Sequence, residues 1–585
     1  MKNIIFIITF TICFFSCSDF LTVYPENQLS TDEFLYTEKD MEIYANGFLQ
    51  RRLPDALGQA YADQFADNIV TRSSTAFLIG DNWRPEDQGS WGGGSGGTWA
   101  QLRDANWFLD NIKKAKDAVS PEVYNHYEGV GRFWRAFFYY SMVRTFGDVP
   151  WYDHELDKDD TDELYKPRDS RELVMDKVLE DLNFASTYCS TEARIVSSST
   201  RITRWVALAF KARVCLFEAA YRKYHTELGL TASAEKFYRE AISAAETLMN
   251  ESPYSLVSGG NVTTQYRSLF TADNLNQTEV IFGVAYKTDL RMHNLTWYTL
   301  SASAGSSWSV TKQFVNQYLM LDGTRFTDIP GYETITYTNE FKNRDNRLQQ
   351  TVLSPDYQRR VNGTIRKVAP DVWLSGYSLI KWIIDDDVHV GMSTSANSLP
   401  YFRYAEALLT LAEAKAELGE MDETVWNKTI RPLRERAGVN GNPPATADPY
   451  LVDYYLNQTN DRWILEIRRE RSIEMVSESV RYDDIMRWKL GPLIAQPWKG
   501  IYIPALDTGY DLNGDGSVDL TVSESGSASN TRVVLGATYR LTGGASGNLE
   551  YNYNLGRLWL DKKYLRPIPA TAIQANPNLQ QNPGW

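Results

Sequence analysis

Aromatic residues on two polar stretches, rich in glycine or serine, are the side chains best placed to bind a ligand. The chain has 17 Trp and 35 Tyr among its 585 residues, and the two stretches cover residues 80–98 and 294–309. Indole and phenol rings present a flat apolar face beside a polar group. Such a face suits a sugar ring, whose C–H groups pack on it while its hydroxyls need hydrogen-bond partners. The aromatic residues predicted to face the ligand are Trp83, Trp91, Trp297, Tyr298 and Trp308.

Two charged residues near the first stretch are predicted to assist these rings. Asp67 and Arg84 carry groups that hydrogen-bond hydroxyls, and an arginine does so through two parallel N–H groups. The competing interpretation is that both are solvated surface residues and that each tryptophan fills a gap in its own loop. The sequence leaves both interpretations open.

Residues 511–519, with the sequence DLNGDGSVD, have the spacing of a calcium-binding loop. Alternate oxygen-bearing residues, with a glycine at the sharp turn, can direct hard ligands to one Ca²⁺ ion. The twelfth residue of such a loop, counted from Asp511, is usually glutamate but is Val522 here. Asn-Gly and Asp-Gly also form good turns without metal. Calcium and a plain turn both remain open. The predicted ligands are Asp511, Asn513, Asp515, Ser517 and Asp519.

The sequence marks no catalytic centre. A glycoside hydrolase needs two carboxylates across the scissile bond, but no motif distinguishes a pair among the 74 acidic residues. The five histidines show no metal-binding spacing. The run of Glu and Arg over residues 466–478 is better explained by ion pairs one turn apart on a helix. A net charge of −14 argues against nucleic acid as a partner. A hydrolase and a pure protein-binding scaffold are the rival hypotheses to ligand capture.

The N-terminus predicts export and a lipid anchor. Lys2 precedes a short apolar run over residues 4–15, and a small residue, Ser16, precedes Cys17. The run is too short to span a bilayer comfortably and is typical of a signal peptide. Residues 1–16 are therefore a predicted lipoprotein signal, Cys17 the lipidated residue, and 17–31 a tether to the membrane. Ordinary secretory cleavage, with Cys17 incidental, is the alternative.

Amphipathic helices must position the ligand-binding loops. Residues 401–420 have apolar side chains on one helical face, and three of them, Ala405, Ala412 and Ala416, are small enough for a second helix to approach closely. Similar patterns predict a helical scaffold over 32–250 and 401–490, while 80–99, 253–400 and 492–585 are predicted to be loop-rich. We therefore expect a mainly α protein of tetratricopeptide-like helical hairpins, with a few short strands, in one domain over 32–585.

Five stretches together resemble the SusD/RagB family of outer-membrane nutrient-binding lipoproteins. They are SDFL from residue 18, RFWRAFFYYSMVRTFGDVPW at 132–151, RYAEALLTLAEAKAELG at 403–419, RRERSIEMVSESVRYDDIMRW at 468–488 and RPIPATAIQANPNLQQNPGW at 566–585. The resemblance implies a non-catalytic protein, lipid-anchored in the outer membrane and facing the cell surface. Its ligand would be an oligosaccharide or polysaccharide, or a peptide as in the RagB branch. Its partner would be a SusC-like TonB-dependent transporter.

Overall fold

The computed structural model describes residues 34–89, 91, 99–192, 199–300 and 308–585. The predicted signal peptide, Cys17 and the tether lie outside the described residues, as do 92–98 of the first aromatic stretch and 301–307 of the second. The α-helices of this part of the chain are α1 (Glu38–Arg52), α2 (Ala56–Tyr61), α3 (Trp99–Asn111), α4 (Pro121–Phe146), α5 (Thr161–Leu164), α6 (Arg171–Tyr188), α7 (Arg204–Tyr224), α8 (Ala234–Glu251), α9 (Gln265–Thr271), α10 (Leu295–Leu300), α11 (Lys312–Val315), α12 (Tyr337–Glu340), α13 (Asn346–Thr351), α14 (Tyr404–Glu417), α15 (Glu423–Arg436), α16 (Pro449–Tyr454), α17 (Arg462–Glu474), α18 (Arg481–Arg487) and α19 (Ala570–Ala575).

Local signals set the ends of the long helices. The Ser120 and Thr203 side chains accept hydrogen bonds from the first turns of α4 and α7, and a proline occupies the first position of α4. Helix α4 ends at Gly147, whose φ of 77° is a conformation that favours glycine. These helices pack in sequence order, α3 on α4, α4 on α6, α6 on α7 and α7 on α8. The predicted mainly helical fold is confirmed.

Helix α14, which carries the predicted alanine face, packs against α8, α15 and α17. Its Ala405, Ala412 and Ala416 are buried, and Gly419 follows the helix with a φ of 72°. The prediction that this helix begins at residue 401 is wrong by three residues. Residues 401–403 belong instead to a strand, because they pair with a second strand some 120 residues earlier in the sequence, a partner that local periodicity does not reveal.

Short strands occupy the loop-rich part of the chain. They are β1 (Ile69–Val70), β2 (Val280–Val284), β3 (Ser309–Val310), β4 (Gln358–Val361), β5 (Thr364–Lys367), β6 (Leu399–Arg403), β7 (Lys499–Ile503), β8 (Gly509–Tyr510), β9 (Leu520–Ser523), β10 (Arg532–Val534), β11 (Tyr539–Leu541) and β12 (Gly547–Tyr551). They form small sheets, of which the largest have three strands in the orders β10-β9-β8 and β11-β12-β7. The described residues therefore contain short strands of the predicted kind and no extended sheet.

A network of buried ion pairs connects the helical and loop-rich parts. Glu474 of α17 is fully buried and accepts hydrogen bonds from Arg347 (2.9 Å), Arg403 (2.6 Å) and Arg436 (2.5 Å). Burial alone would raise the pKa of Glu474, but Arg436, Arg403 and Arg347 hold it well below its usual range. These partners come from β6, α13 and α15, so the prediction of ion pairs one turn apart does not describe them.

Asp63 is a buried carboxyl to which, among the described residues, no cationic side chain donates a hydrogen bond. One oxygen accepts the backbone N–H of Arg481 at 3.2 Å, and the other has no hydrogen-bond partner among the described residues. Burial raises the pKa of Asp63 to about 7, against the lowering effect of the backbone N–H groups of Arg481 and Ser477. The neutral form is therefore favoured in the folded protein below neutral pH.

Replacing Asp63 by asparagine is expected to raise stability at pH 8. Because the folded-state pKa lies above the unfolded value of about 3.9, wild-type stability falls as pH rises to about 7, by at most about 4 kcal/mol. Urea unfolding at pH 5 and pH 8 measures this difference. Asp63→Asn should reduce the pH dependence, while Asp117→Asn on the surface should leave it unchanged. Parallel pH profiles for wild type and Asp63→Asn would contradict the assignment.

Candidate functional site

A cavity of about 830 Å³ opens at the N-terminal end of α3, and we call it the main cavity. Its walls come from the start of α3, the segment of residues 150–158, and α19 with the residues that follow it, with Trp91 and Leu164 added from elsewhere in the chain. Three aromatic residues, Trp91, Trp99 and Tyr152, line it together with polar Asn106 and the apolar Leu579. This combination of apolar rings and hydrogen-bonding groups is typical of small-ligand sites.

Trp99 contacts both of the other aromatic rings of the main cavity. The ring centre of Trp99 lies 5.8 Å from that of Trp91 and 5.7 Å from that of Tyr152, at interplanar angles of 52° and 70°. Trp91 also packs on Phe146, and Trp99 on Phe138, each at 5.3 Å. All three rings are partly buried, so each is supported from behind by the helical core while part of it faces the cavity.

Residues 150–158, which we call the crossing segment, are held against α3 by buried polar side chains. The Asn106 amide, 1% exposed, donates to the carbonyl oxygens of Tyr152 (3.0 Å) and His154 (2.9 Å). Arg135 of α4 donates to the carbonyl oxygen of Asp153 at 2.9 Å and forms a buried ion pair with Asp181 at 2.7 Å. The wall of the main cavity is therefore fixed before any ligand arrives, which reduces the entropic cost of binding.

The charges on the main cavity are balanced within the described residues. Its lining has two cationic side chains, Arg103 and Lys158, and two carboxylates, Glu155 and Asp157, and the Arg103 guanidinium contacts Glu155 at 2.8 Å. The adjoining residues 92–98 carry no charged side chain in the sequence. The cavity therefore presents dipoles and hydrogen-bonding groups in preference to a net charge.

The first aromatic stretch is divided between two places. Trp91 lines the main cavity, whereas Trp83 packs edge-on against Phe77 at 5.8 Å and lies 5.9 Å from the Arg566 guanidinium. Arg84 is exposed and donates to the backbone carbonyl oxygens of Asp81 (2.7 Å) and Trp83 (3.0 Å). Neither Trp83 nor Arg84 is among the residues that line the main cavity.

The described residues of the second aromatic stretch do not line the main cavity. Trp297 and Tyr298 of α10 are partly buried and form an edge-to-face pair with ring centres 5.5 Å apart. Trp308 is 1% exposed and stacks on Tyr61 at 4.6 Å. Because its ring is enclosed by other side chains, Trp308 is a core residue instead of a ligand-facing one.

Asp67 also has a structural position instead of the predicted ligand-binding one. It is buried, and its two carboxylate oxygens accept hydrogen bonds from the Arg481 guanidinium at 2.8 and 2.7 Å, while the Tyr454 hydroxyl donates to one of them. Arg481 lowers the pKa of Asp67, overcoming the opposite effect of burial. A carboxylate paired in this way has no free oxygen directed to solvent.

Two family profiles cover most of the chain. The profile described as "SusD family" matches residues 268–585, and the one described as "Starch-binding associating with outer membrane" matches residues 19–216. The first match alone spans more than half of the chain. The protein belongs to the SusD family.

Relatives within the SusD family align over most of their length. SusD-like protein P38 of Formosa agariphila is 24% identical over 83% of this chain and 91% of its own. SusD-like protein P2 of the same organism is 26% identical over 82% of this chain and 89% of its own.

Solved structures of SusD-like proteins have the same fold. A SusD-like protein from Bacteroides fragilis superposes with a TM-score of 0.68 at 22% identity, covering 95% of this chain and 98% of its own. A SusD-like carbohydrate binding protein from the same species gives a TM-score of 0.67 at 20% identity, over 94% of this chain and 100% of its own. Within the described residues of this SusD-family chain, no helix has the length and apolar character needed to cross a membrane.

Several residues of the main cavity were absent from the sequence-based prediction. They are Trp99, Arg103, Asn106, Tyr152 and Glu155. The run DVPWYDHE at 148–155 carries a local signal, since two aromatic residues followed by three polar ones come shortly after α4 ends. The sequence did not mark Asn106 as a cavity residue, because asparagine is also common on the solvated faces of helices.

The predicted calcium loop forms a chain of turns closed by its own side chains. Asp511 accepts hydrogen bonds from the backbone N–H groups of Gly514 (2.6 Å) and Gly516 (2.8 Å), and Asp519 accepts from Leu512 (2.7 Å). Lys367 donates to the Asn513 carbonyl oxygen at 3.1 Å. Among the described residues no group of three or more His, Cys, Asp or Glu side chains is gathered closely enough to hold a metal ion. Calcium at this loop stays a prediction.

Calcium binding would raise the melting temperature above its value in chelator. A ligand at one hundred times its dissociation constant stabilises the folded state by about 2.7 kcal/mol. Differential scanning fluorimetry with excess Ca²⁺ or EGTA measures the shift, and Asp515→Ala should remove it. An identical melting temperature in both solutions would favour the plain turn.

Proposed function

We propose that this protein captures an oligosaccharide or polysaccharide in the main cavity and delivers it to a SusC-like TonB-dependent transporter, without catalysis. The observation that carries the proposal is the aromatic wall of Trp91, Trp99 and Tyr152 beside fixed polar groups, in a chain of the SusD family. The rings would pack on sugar C–H faces, each contact contributing about 1 kcal/mol beyond area burial. Arg103 and Glu155 would bind the ring hydroxyls.

The comparisons support a sugar as the ligand class. One matching profile is described as starch-binding and associated with the outer membrane, and one structural neighbour is described as a carbohydrate binding protein. A peptide ligand, as in the RagB branch, is the alternative outcome. The partly buried Trp297 and Tyr298, with the exposed Arg84, would at most serve a separate contact with a long glycan.

Cell-surface anchoring through Cys17 completes the proposal. A lipid on this residue would keep the protein at the outer membrane, where a ligand can pass directly to the transporter. Cys17→Ala is expected to release the protein from the membrane fraction while leaving glycan binding intact. Membrane retention of this variant would contradict lipid anchoring.

Retention on immobilised glycans tests the function directly. Protein lacking residues 1–17 would be run through native gels containing starch, xylan, mannan or other polysaccharides, and the gel mobility compared with that in plain gel. We expect retardation by at least one polysaccharide, with no sugar product released. Product formation would indicate a hydrolase. No retardation by any glycan, together with binding to a peptide library, would favour the RagB-like function.

A further inference from the structure

A second cavity, which we call the side cleft, lies beside the main cavity along the same helix. Its volume is about 290 Å³. Helix α3 contributes Trp99, Arg103 and Asn106 to the main cavity and Asp110 to the side cleft, which Lys113 of the 3₁₀ turn following α3 also lines. Arg103 and Asp110 are seven residues apart, which corresponds to about 10 Å along a helix. The two cavities are therefore neighbours that share α3.

The crossing segment forms the wall between the two cavities. Its side chains alternate, with Tyr152 and His154 lining the main cavity and Trp151 and Asp153 lining the side cleft. Asn106 and Arg135 hold this segment in place by donating hydrogen bonds to its backbone carbonyl oxygens. Because one rigid segment shapes both cavities, the distance between them is set by the fold.

The side cleft has the groups that recognise a sugar. Tyr124 and Trp151, 8% and 9% exposed, form the floor of the cleft, and Arg132 donates to one carboxylate oxygen of Glu128 at 2.7 Å on its wall. Polar planar side chains beside aromatic rings bind hydroxyls and C–H faces together.

The charges of the side cleft favour an uncharged ligand. Each of its four cationic side chains, Lys113, Arg132, Arg135 and Lys177, already contacts a carboxylate at 2.7–2.9 Å. The lining carboxylates outnumber them, being Asp110, Glu128, Asp153, Glu180 and Asp181. Among the described residues, a sulfate or uronate group would therefore meet no free cation in the side cleft and would face a small excess of negative charge.

We propose that the side cleft is a second subsite, which takes uncharged sugar units of the same saccharide chain that occupies the main cavity. The proposal rests on the proposed function of the main cavity. Its consequence is that affinity depends on chain length, because only a saccharide long enough to pass over the crossing segment fills both cavities.

Blocking the side cleft tests this subsite. Lys177 and Glu180 lie on its rim and their side chains are 42% and 63% exposed, so a tryptophan at either position would fill the cleft without entering the core. Glu172→Trp on the same helix, outside both cavities, is the matched control. Calorimetry would use gluco-, xylo- and manno-oligosaccharides of two and six units, with uronic acid oligosaccharides of the same two lengths for comparison.

We expect the neutral six-unit ligand to bind wild type and Glu172→Trp at least tenfold tighter than the two-unit ligand of its series. Lys177→Trp and Glu180→Trp should both lose this advantage while keeping two-unit affinity. An advantage that survives both blocking variants, or no advantage in wild type, would overturn the subsite. An equal advantage for the uronic acid ligand would overturn its preference for uncharged sugars. Absence of binding by every ligand would instead show that the proposed function itself has failed.

Discussion

Trp99→Ala is expected to lower glycan affinity by about tenfold to one hundredfold. Trp99 contacts both other aromatic residues of the main cavity, so its removal deletes one sugar-facing ring and releases the support of Trp91 and Tyr152. A loss of about 1.4–2.8 kcal/mol corresponds to this range. Calorimetry with the glycan retained in gels measures the change, and circular dichroism checks that α3 remains folded.

Trp83→Ala is the matched control for this experiment. Trp83 is a partly buried tryptophan of the same sequence stretch, but it packs on Phe77 away from the main cavity. We expect its affinity to stay within about twofold of wild type, a free-energy change of about 0.4 kcal/mol. If Trp83→Ala lost binding and Trp99→Ala kept it, the ligand would lie at Trp83, which the sequence also predicted to face the ligand, and the main cavity would not be the site.

Glu474→Gln should lower the free energy of unfolding by about 3–5 kcal/mol, since removing one partner of a buried ion pair leaves other charges uncompensated. Here three guanidinium groups, those of Arg347, Arg403 and Arg436, would lose a charged acceptor. Urea or guanidinium denaturation monitored by tryptophan fluorescence measures the loss. Glycan affinity of the folded variant should be unchanged because Glu474 does not line the main cavity.

Glu42→Gln provides the surface comparison. Glu42 pairs with Lys39 at 2.8 Å, with side chains 38% and 71% exposed. Such exposed pairs contribute about 0–1 kcal/mol. A Glu474→Gln variant as stable as Glu42→Gln would show that the buried arginines find other acceptors, and the network would then contribute little to stability.

The sequence predicted those elements whose determinants are local. The apolar face of α14, with Ala405, Ala412 and Ala416, could be predicted because its spacing is visible within that one helix. The partners of Glu474 could not be predicted in this way, since Arg347 lies 127 residues away. Periodicity shows that a charged residue is on a helix, but it does not show which other element covers that face.

The same limit explains the mixed outcome at the candidate site. Trp91 lines the main cavity, but Trp308 was expected to face ligand and is enclosed by Tyr61 and its neighbours. A tryptophan in a polar stretch has the same local sequence whether tertiary packing covers it or not. Tyr152 was missed because it meets Trp99 only after α4 has returned the chain to α3.

The buried ion pairs also affect how stability varies with temperature. Exposing apolar surface on unfolding raises the heat capacity, whereas exposing polar surface lowers it. A core that encloses Glu474 with three arginines therefore unfolds with a smaller heat-capacity increment than an apolar core of equal area. The free energy of unfolding therefore changes less steeply with temperature. The folded scaffold that supports the main cavity loses less stability on cooling or moderate warming.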